Sequence, residues 1–343
     1  MSEKRTEINE IGEFGLIERI RKTGQTNRKS TVKSIGDDAA VISSTPNMVT
    51  LLSTDLLLEG IHFDLSYMPI QHLGFKSISV NVSDMAAMNA LPTHAVVSLA
   101  LSNRFSVEAV EALYSGINAA SKAFNVDIVG GDTTSSKSGL MISVSILGES
   151  PKAHVTYRDG AKKHDILCVT GDLGGAFMGL QVLEREKAEY QANPNLQPDL
   201  EKYSYVVGRQ LRPKARLDIV HELRSLNIIP TAMIDISDGL ASDVMHLCKQ
   251  SGLGVSIYEE KLPIDEQTYS TSAEFNIDPN TSAFNGGEDY ELLFTITPKD
   301  QGKLKNHDDI HMIGYMHELE KGNVVVTRNG NAIELKAQGW RHF

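Results

Sequence analysis

The chain has 343 residues, 41% hydrophobic and 22% charged, which suits two soluble domains with their own cores and excludes a disordered chain. A formal net charge of −11 excludes a non-specific grip on nucleic acid, which needs clustered Lys and Arg, although an acidic chain still binds phosphates when metal ions lie between. Cys168 and Cys248 stand singly in apolar segments, with no second thiol at ligand or redox spacing, and read as core.

In chain order, the amphipathic stretch EFGLIERIRK predicts a helix over 13–22, and AAVIS and MVTLLSTD predict strands over 39–43 and 48–55. A helix is expected over about 70–89, a strand over 93–102, a helix over about 106–124, and strands over 125–131 and 139–149. The pattern breaks at Ser150-Pro151. A loop with Tyr157-Arg158-Asp159-Gly160 then leads into the strand DILCVTG and the glycine-rich GDLGGAFMGL. Helices near 174–190, 213–227 and 239–251 are expected beyond it, with strands at TAMIDIS and near 253–258, 290–297 and 310–316. The loop QANPNLQPD reads as exposed. The expected fold class is α/β (α+β), with domains over 1–150 and 151–343. The N-terminus lacks the apolar stretch of a signal peptide, and no segment approaches the roughly 18 apolar residues of a membrane span. A cytoplasmic location without a membrane partner is therefore expected.

The acids carry the chemistry. In KSIGDDAAVI, Asp37 and Asp38 stand between a glycine and an apolar run, where a turn would also place them. Asp84 is the only formally charged side chain between Ser77 and Asn103. In a helix it shares a stripe with Ser77 and Asn81, so it is either part of a solvated face or a buried carboxylate that needs a partner or a metal. Ser53, Thr54 and Asp55 are read as closing one strand, and Asp132 as following another at Gly130-Gly131. Asp235 and Ser237 end a third, with Asp238 at a helix start where its charge suits the dipole. Hard oxygen groups without imidazole or thiolate point to Mg2+ rather than zinc, and Mg2+ commonly bridges to nucleotide phosphates. The Walker A sequence and the kinase HRD and DFG pair are absent. GDLGGAFMGL fits either an anion nest at a helix start or close helix packing.

The ordered series IGDDAAV, STDLLLEGIHF, KSISVNVSDMAAM, IVGGDTT, RDGAK, RQLRPKAR, AMIDISDGLASD, FNGGEDYELLFT and GWRHF resembles the thiamine-monophosphate kinase family over about residues 10–343. The wider superfamily holds aminoimidazole ribonucleotide synthetase, selenophosphate synthetase and a hydrogenase maturation factor. The resemblance implies an N-terminal α/β domain pairing with a second subunit in a shared barrel, a C-terminal α/β domain, and an active site in the cleft between them. It implies direct γ-phosphoryl transfer from ATP to thiamine monophosphate. Asp38, Ser53, Thr54, Asp55, Asp84, Asp132, Asp235 and Asp238 are implied to hold several Mg2+ ions, with Asp37 in support. Tyr114, Gly131, Asp132, Arg158 and Ser237 are implied ATP contacts, and His62, Glu288 and Trp340 are implied to line the thiamine site. Taken alone, His62 also reads as a core histidine and Trp340 as a packing residue.

The absence of a Cys beside a Lys in residues 1–30 disfavours selenophosphate synthetase, and the Cys-free GWRHF terminus disfavours the maturation factor. An aminoimidazole ribonucleotide synthetase-like activity, and a non-catalytic nucleotide- or metal-binding regulator, are the alternatives. Isolated Asp84 and the intact acidic series favour an enzyme.

Overall fold

The computed structural model describes residues 6, 8–24, 26–33, 41–42, 47–195 and 197–338. The chain forms two compact units, residues 1–85 with 90–153 and residues 86–89 with 154–343. Asp37, Asp38 and Trp340 lie outside the described residues, as does most of the strand expected over 39–43.

The first unit contains helix α1 (Ile8–Thr23), strands β1 (Thr31–Lys33), β2 (Val41–Ile42) and β3 (Met48–Leu58), and helix α2 (Ile70–Ala87). Strand β4 (Leu91–Leu101), helix α3 (Val107–Phe124) and strands β5 (Asp127–Ser135) and β6 (Met141–Pro151) complete it. Four strands form one sheet in the order β3-β6-β4-β5, with β4 and β5 parallel and the other pairs antiparallel. Strand β6 alternates strictly between half-buried and buried positions, the period expected when one face of a sheet meets a core. Helix α3 starts at Ser106, whose hydroxyl accepts the N–H of Ala109, and stops at Asn125 in the left-handed conformation.

Helices α2 and α3 touch backbone to backbone. A β-carbon on Gly74 would collide with the Leu113 carbonyl, and one on Gly116 with the Gln71 carbonyl. We expect Gly116→Ala to force the helices apart and cost about 1–3 kcal/mol, the range for overpacking, which thermal unfolding measures directly. An unchanged melting temperature would contradict the close crossing.

The second unit opens with β7 (Ile166–Thr170), α4 (Gly175–Ala192), α5 (Ser204–Leu211), α6 (Leu217–Ser225), β8 (Ala232–Asp235) and α7 (Leu240–Ser251). It continues with β9 (Leu253–Tyr258), α8 (Glu266–Glu274), α9 (Pro279–Asn285), β10 (Leu292–Ile296), α10 (Gln301–Leu304), β11 (Ile310–Glu318), β12 (Asn323–Val326) and β13 (Ala332–Glu334). Its sheet has the order β13-β12-β9-β11-β7-β10-β8, antiparallel except for the β12–β9 pair. All five residues of β10 and all four of β8 are buried, as expected of strands without a solvent face. Leu167, Val169, Ile234, Val244, Leu247, Val255, Ile257, Leu293 and Ile313 form its core.

The α/β class expected from the sequence is the one observed. The helix expected over 213–227 is α6, shortened to Leu217–Ser225, and α5 over Ser204–Leu211 is an additional helix; Pro213 between them cannot donate the helical N–H and disfavours helix in the residue before it. No described helix is long and apolar enough to cross a membrane.

Candidate active site

In the first unit, α2 places Asp84 beside β3, and the Ser53 hydroxyl donates to the Asp84 carboxylate. Ser77 and Asn81 are buried at 0% and 1% exposure, which removes the solvated-face reading of their stripe. Their polar atoms turn back into the helix: Ser77 Oγ donates to the Gly74 carbonyl at 2.8 Å and Asn81 Nδ2 to the Ser77 carbonyl at 3.0 Å. The buried Asn81 Oδ1 accepts no hydrogen bond among the described residues. It stands one helical turn before the half-buried Asp84.

Asp55 and Asp132 are not at strand ends. Strand β3 runs on through Leu56–Leu58, paired with Ser143, Ile142 and Met141, and β5 runs on through Thr133–Ser135, paired with Leu99–Leu101. The apolar and β-branched residues beyond each acid carry the pairing forward. Because side chains alternate along a strand, Ser53 and Asp55 share the face that meets Asp84, whereas Thr54 projects from the other. There the Thr54 hydroxyl donates to the Val144 carbonyl at 3.0 Å and accepts from Ser145 Oγ at 3.0 Å. Ser98 aligns Asp132 with Ser143 on that second face. Asp132 is exposed.

The remaining first-unit candidates show structural roles. A β-carbon on Gly131 would collide with the Val97 carbonyl, so the close approach of β4 requires glycine there. Tyr114 is buried in α3, and burial pushes its phenol up. His62 Nδ1 accepts the Leu58 N–H at 3.0 Å, which ties the turn after β3.

The second unit brings four candidates together at one end of β8. Asp235 closes β8 and is buried at 4% exposure. The chain then passes through Ser237 and Asp238 to the start of α7, where Gly239 takes φ 108° in a crowded corner against Phe284 and Asn285. The Glu288 N–H donates to the Ser237 carbonyl at 2.8 Å, and the Tyr290 N–H to the Ile236 carbonyl at 2.9 Å. Glu288 itself sits at φ 59°, a left-handed conformation uncommon for a residue with a side chain. Its carboxylate accepts from Gln210 Nε2 at 3.0 Å and Tyr290 OH at 3.4 Å. Arg158 is exposed, on a loop fastened by the Met233 N–H donating to the Tyr157 carbonyl at 3.0 Å.

Asp243, in the same AMIDISDGLASD motif, has a role the sequence reading left out. It is 2% exposed, and its carboxylate accepts the Asp238 N–H at 3.3 Å. Burial, then repulsion from Asp235 and Asp238, pushes its carboxyl up to about 8. Folded protein therefore holds a proton that unfolded chain releases in the ordinary aspartate range, so stability without metal falls as pH rises from that range towards about 8. Asp243→Asn keeps an acceptor for the Asp238 N–H and removes the charge. We expect thermal melts of the metal-free variant to lose that pH slope and to exceed the unsubstituted protein at pH 8; retention of the slope would contradict the assignment.

The glycine-rich turn is already filled from within. Asp289, fully buried, accepts the Gly174 N–H at 2.8 Å and the Ala176 N–H at 3.3 Å, so its carboxylate occupies the N-terminus of α4. Behind it, Glu291 takes Arg209 Nη1 at 2.8 Å and Arg216 Nη1 at 2.6 Å. Gly171 sits at φ 53° with the Glu291 carboxylate where a side chain would be. The anion nest that the glycines allowed is thus a site for the protein's own acids.

Among the described residues, no group of three or more His, Cys, Asp or Glu side chains is placed to hold a metal ion by itself. The donor sets nevertheless fit Mg2+, which takes one or two carboxylates and completes its shell with water and phosphate oxygens. Ser53, Asp55 and Asp84 are one such set. Asp235 and Asp238, both close enough to push up the Asp243 carboxyl, are another.

Residues 36–150 match the family model of the AIR synthase related protein, N-terminal domain, and residues 162–327 match the corresponding C-terminal domain. The thiamine-monophosphate kinase of Aquifex aeolicus is 38% identical over 336 residues, covering 98% of this chain and 99% of that protein. The chain belongs to the thiamine-monophosphate kinase family. The kinase of Bacillus subtilis is 33% identical over 97% of this chain and 100% of its own length. A solved family structure, AaThiL complexed with AMPPCP and TMP, shares 36% identity over 98% of both chains with a TM-score of 0.75. Family membership agrees with the resemblance carried by the sequence motifs, and places the chain among phosphotransferases.

Proposed function

We propose that the chain transfers the γ-phosphoryl group of ATP directly to the phosphate of thiamine monophosphate, giving thiamine diphosphate and ADP with the assistance of several Mg2+ ions. The observation that carries this reading is the nearly full-length match to a family structure complexed with AMPPCP and TMP. The local geometry supports it, because the end of β8 gathers Asp235, Ser237, Asp238 and Glu288 on adjoining backbone.

Donor and acceptor are both anions, so the reaction needs positioning and charge neutralisation more than a covalent nucleophile. Bound Mg2+ supplies charge screening and a template for the phosphate oxygens. Asp38, Ser53, Asp55, Asp84, Asp235 and Asp238 are the residues we assign to holding it, together with Thr54 and Asp132 from the other face of the first-unit sheet. Tyr114, Gly131, Asp132, Arg158 and Ser237 are assigned to ATP. His62, Glu288 and Trp340 are assigned to thiamine monophosphate, with Glu288 facing the cationic thiazolium or the aminopyrimidine. We assign ATP and Mg2+ binding and dimerisation to residues 1–150 and the remaining α/β domain to 151–343, in a cytoplasmic homodimer. The exposed Leu52 and Leu56, on the sheet face opposite Asp84, are the apolar surface that such a dimer would cover.

Incubation with ATP, Mg2+ and, in separate reactions, thiamine monophosphate or formylglycinamidine ribonucleotide tests the assignment. Thiamine diphosphate is expected in the first reaction only. Turnover of the second substrate alone would replace the reading with a synthetase.

A further inference from the structure

We infer that Gln210 is a positioning residue for thiamine monophosphate, acting through Glu288, and that the α4–α5 pair is the platform that sets its reach. The inference rests on the assignment of Glu288 to the thiamine site. Gln210 is 5% exposed, and its amide Nε2 donates to Glu288 Oε2 at 3.0 Å. Tyr290 holds the other carboxylate oxygen at 3.4 Å. These two bonds hold both oxygens and set the orientation of the carboxylate.

The backbone around Glu288 is held from three sides. Its own N–H is tied to Ser237, the Gly287 corner at φ 71° lies against Ser237 and Asp238, and the next residue, Asp289, is bound to the start of α4. Gly286 packs on Phe177 of the same helix, where a β-carbon would come within 2.6 Å of the Phe177 β-carbon. The Glu288 side chain extends from this fixed backbone, and Gln210 holds its Oε2. Gly179 makes this possible: a β-carbon there would collide with the Val206 carbonyl and come within 3.0 Å of the Gln210 β-carbon. The last glycine of GDLGGAFMGL thus lets α5 approach α4 closely enough to bury Gln210 against Glu288. Rotamers of a long acidic side chain are costly to order at the moment of binding, so fixing them in advance strengthens binding of the ligand that contacts them.

Gln210→Met keeps volume and helix propensity and deletes the donor. We expect the KM for thiamine monophosphate to rise by up to about tenfold, the cost of ordering a long side chain on binding, the KM for ATP to stay within about twofold, and the melting temperature to fall by only a few degrees for the one hydrogen bond lost. Glu288→Gln is expected to raise the same KM. In the Glu288→Gln background, Gln210→Met should add nothing further, the coupling expected of residues that act as one unit. A purely structural role would instead change both KM values together, or lower the melting temperature with the KM for thiamine monophosphate unchanged. If Glu288→Gln raises the KM and Gln210→Met does not, or if the two effects multiply independently, positioning by Gln210 is overturned while Glu288 keeps its role. If Glu288→Gln itself leaves the KM unchanged, the assignment of Glu288 fails and the inference with it.

Discussion

Asp84→Asn should lower kcat/KM for thiamine diphosphate formation by at least about a hundredfold while the protein remains folded. The substitution is nearly isosteric, and the asparagine carbonyl still accepts the Ser53 hydroxyl that the carboxylate accepts now. The stripe beneath it is bonded to its own helix through Ser77 and Asn81, so α2 does not depend on the charge for its structure. What the variant loses is one negative charge beside Ser53, against the face of β3 that also carries Asp55, the place where a divalent ion would be held. Initial rates across a Mg2+ titration, with melting temperatures measured alongside, separate the two effects. Full activity at every Mg2+ concentration would remove Asp84 from the ion-binding set.

Glu291→Leu should have the largest effect on stability, a loss of about 3–5 kcal/mol. Glu291 is 1% exposed and receives two guanidinium groups on opposite oxygens, Arg209 at 2.8 Å and Arg216 at 2.6 Å. Thr170 Oγ1 also donates to it at 2.5 Å. Removing the carboxylate leaves Arg209 with Asp289 at 3.7 Å and Arg216 with the partly exposed Asp218 and Asp309. The cost is that of stranding buried cations, not the net strength of a salt bridge. Chemical denaturation followed by circular dichroism should show an earlier transition for the second unit. An unchanged midpoint would show that water or the outer acids replace Glu291 without loss.

Much of this was legible in the residues. The strand expected over 139–149, the helix over about 106–124 and the acid at the end of β8 each follow from local pattern. Helices α8 and α9 escaped the periodicity reading although their caps were present: Asp265 accepts the Gln267 N–H, and Asp278 precedes Pro279 and accepts the Asn280 N–H. Both helices have fewer than ten residues, too short for an apolar stripe to repeat convincingly.

The candidate acids were found as a set because charge in apolar surroundings is visible in sequence. Their faces were not visible. Whether a strand stops after Asp55 or Asp132 depends on the pairing offered by β6 and β4, and a strand that continues sends Thr54 away from its neighbours. Asp243 and Gln210 were hidden for a related reason. Each lies in a quoted motif, but its meaning comes from a partner, the Asp238 N–H for one and the Glu288 carboxylate 78 residues away for the other. GDLGGAFMGL shows the same limit from the other side, since a nest for phosphate and a nest for Asp289 demand the same glycines.

Direct, Mg2+-assisted transfer is tested most closely by following the label from ATP carrying 32P in the γ-position with thiamine monophosphate as acceptor. All transferred label should appear in the terminal phosphate of thiamine diphosphate, with one ADP formed for each, and transfer should cease when Mg2+ is chelated. Label released as inorganic phosphate without thiamine diphosphate, or transfer that persists with the metal removed, would contradict it.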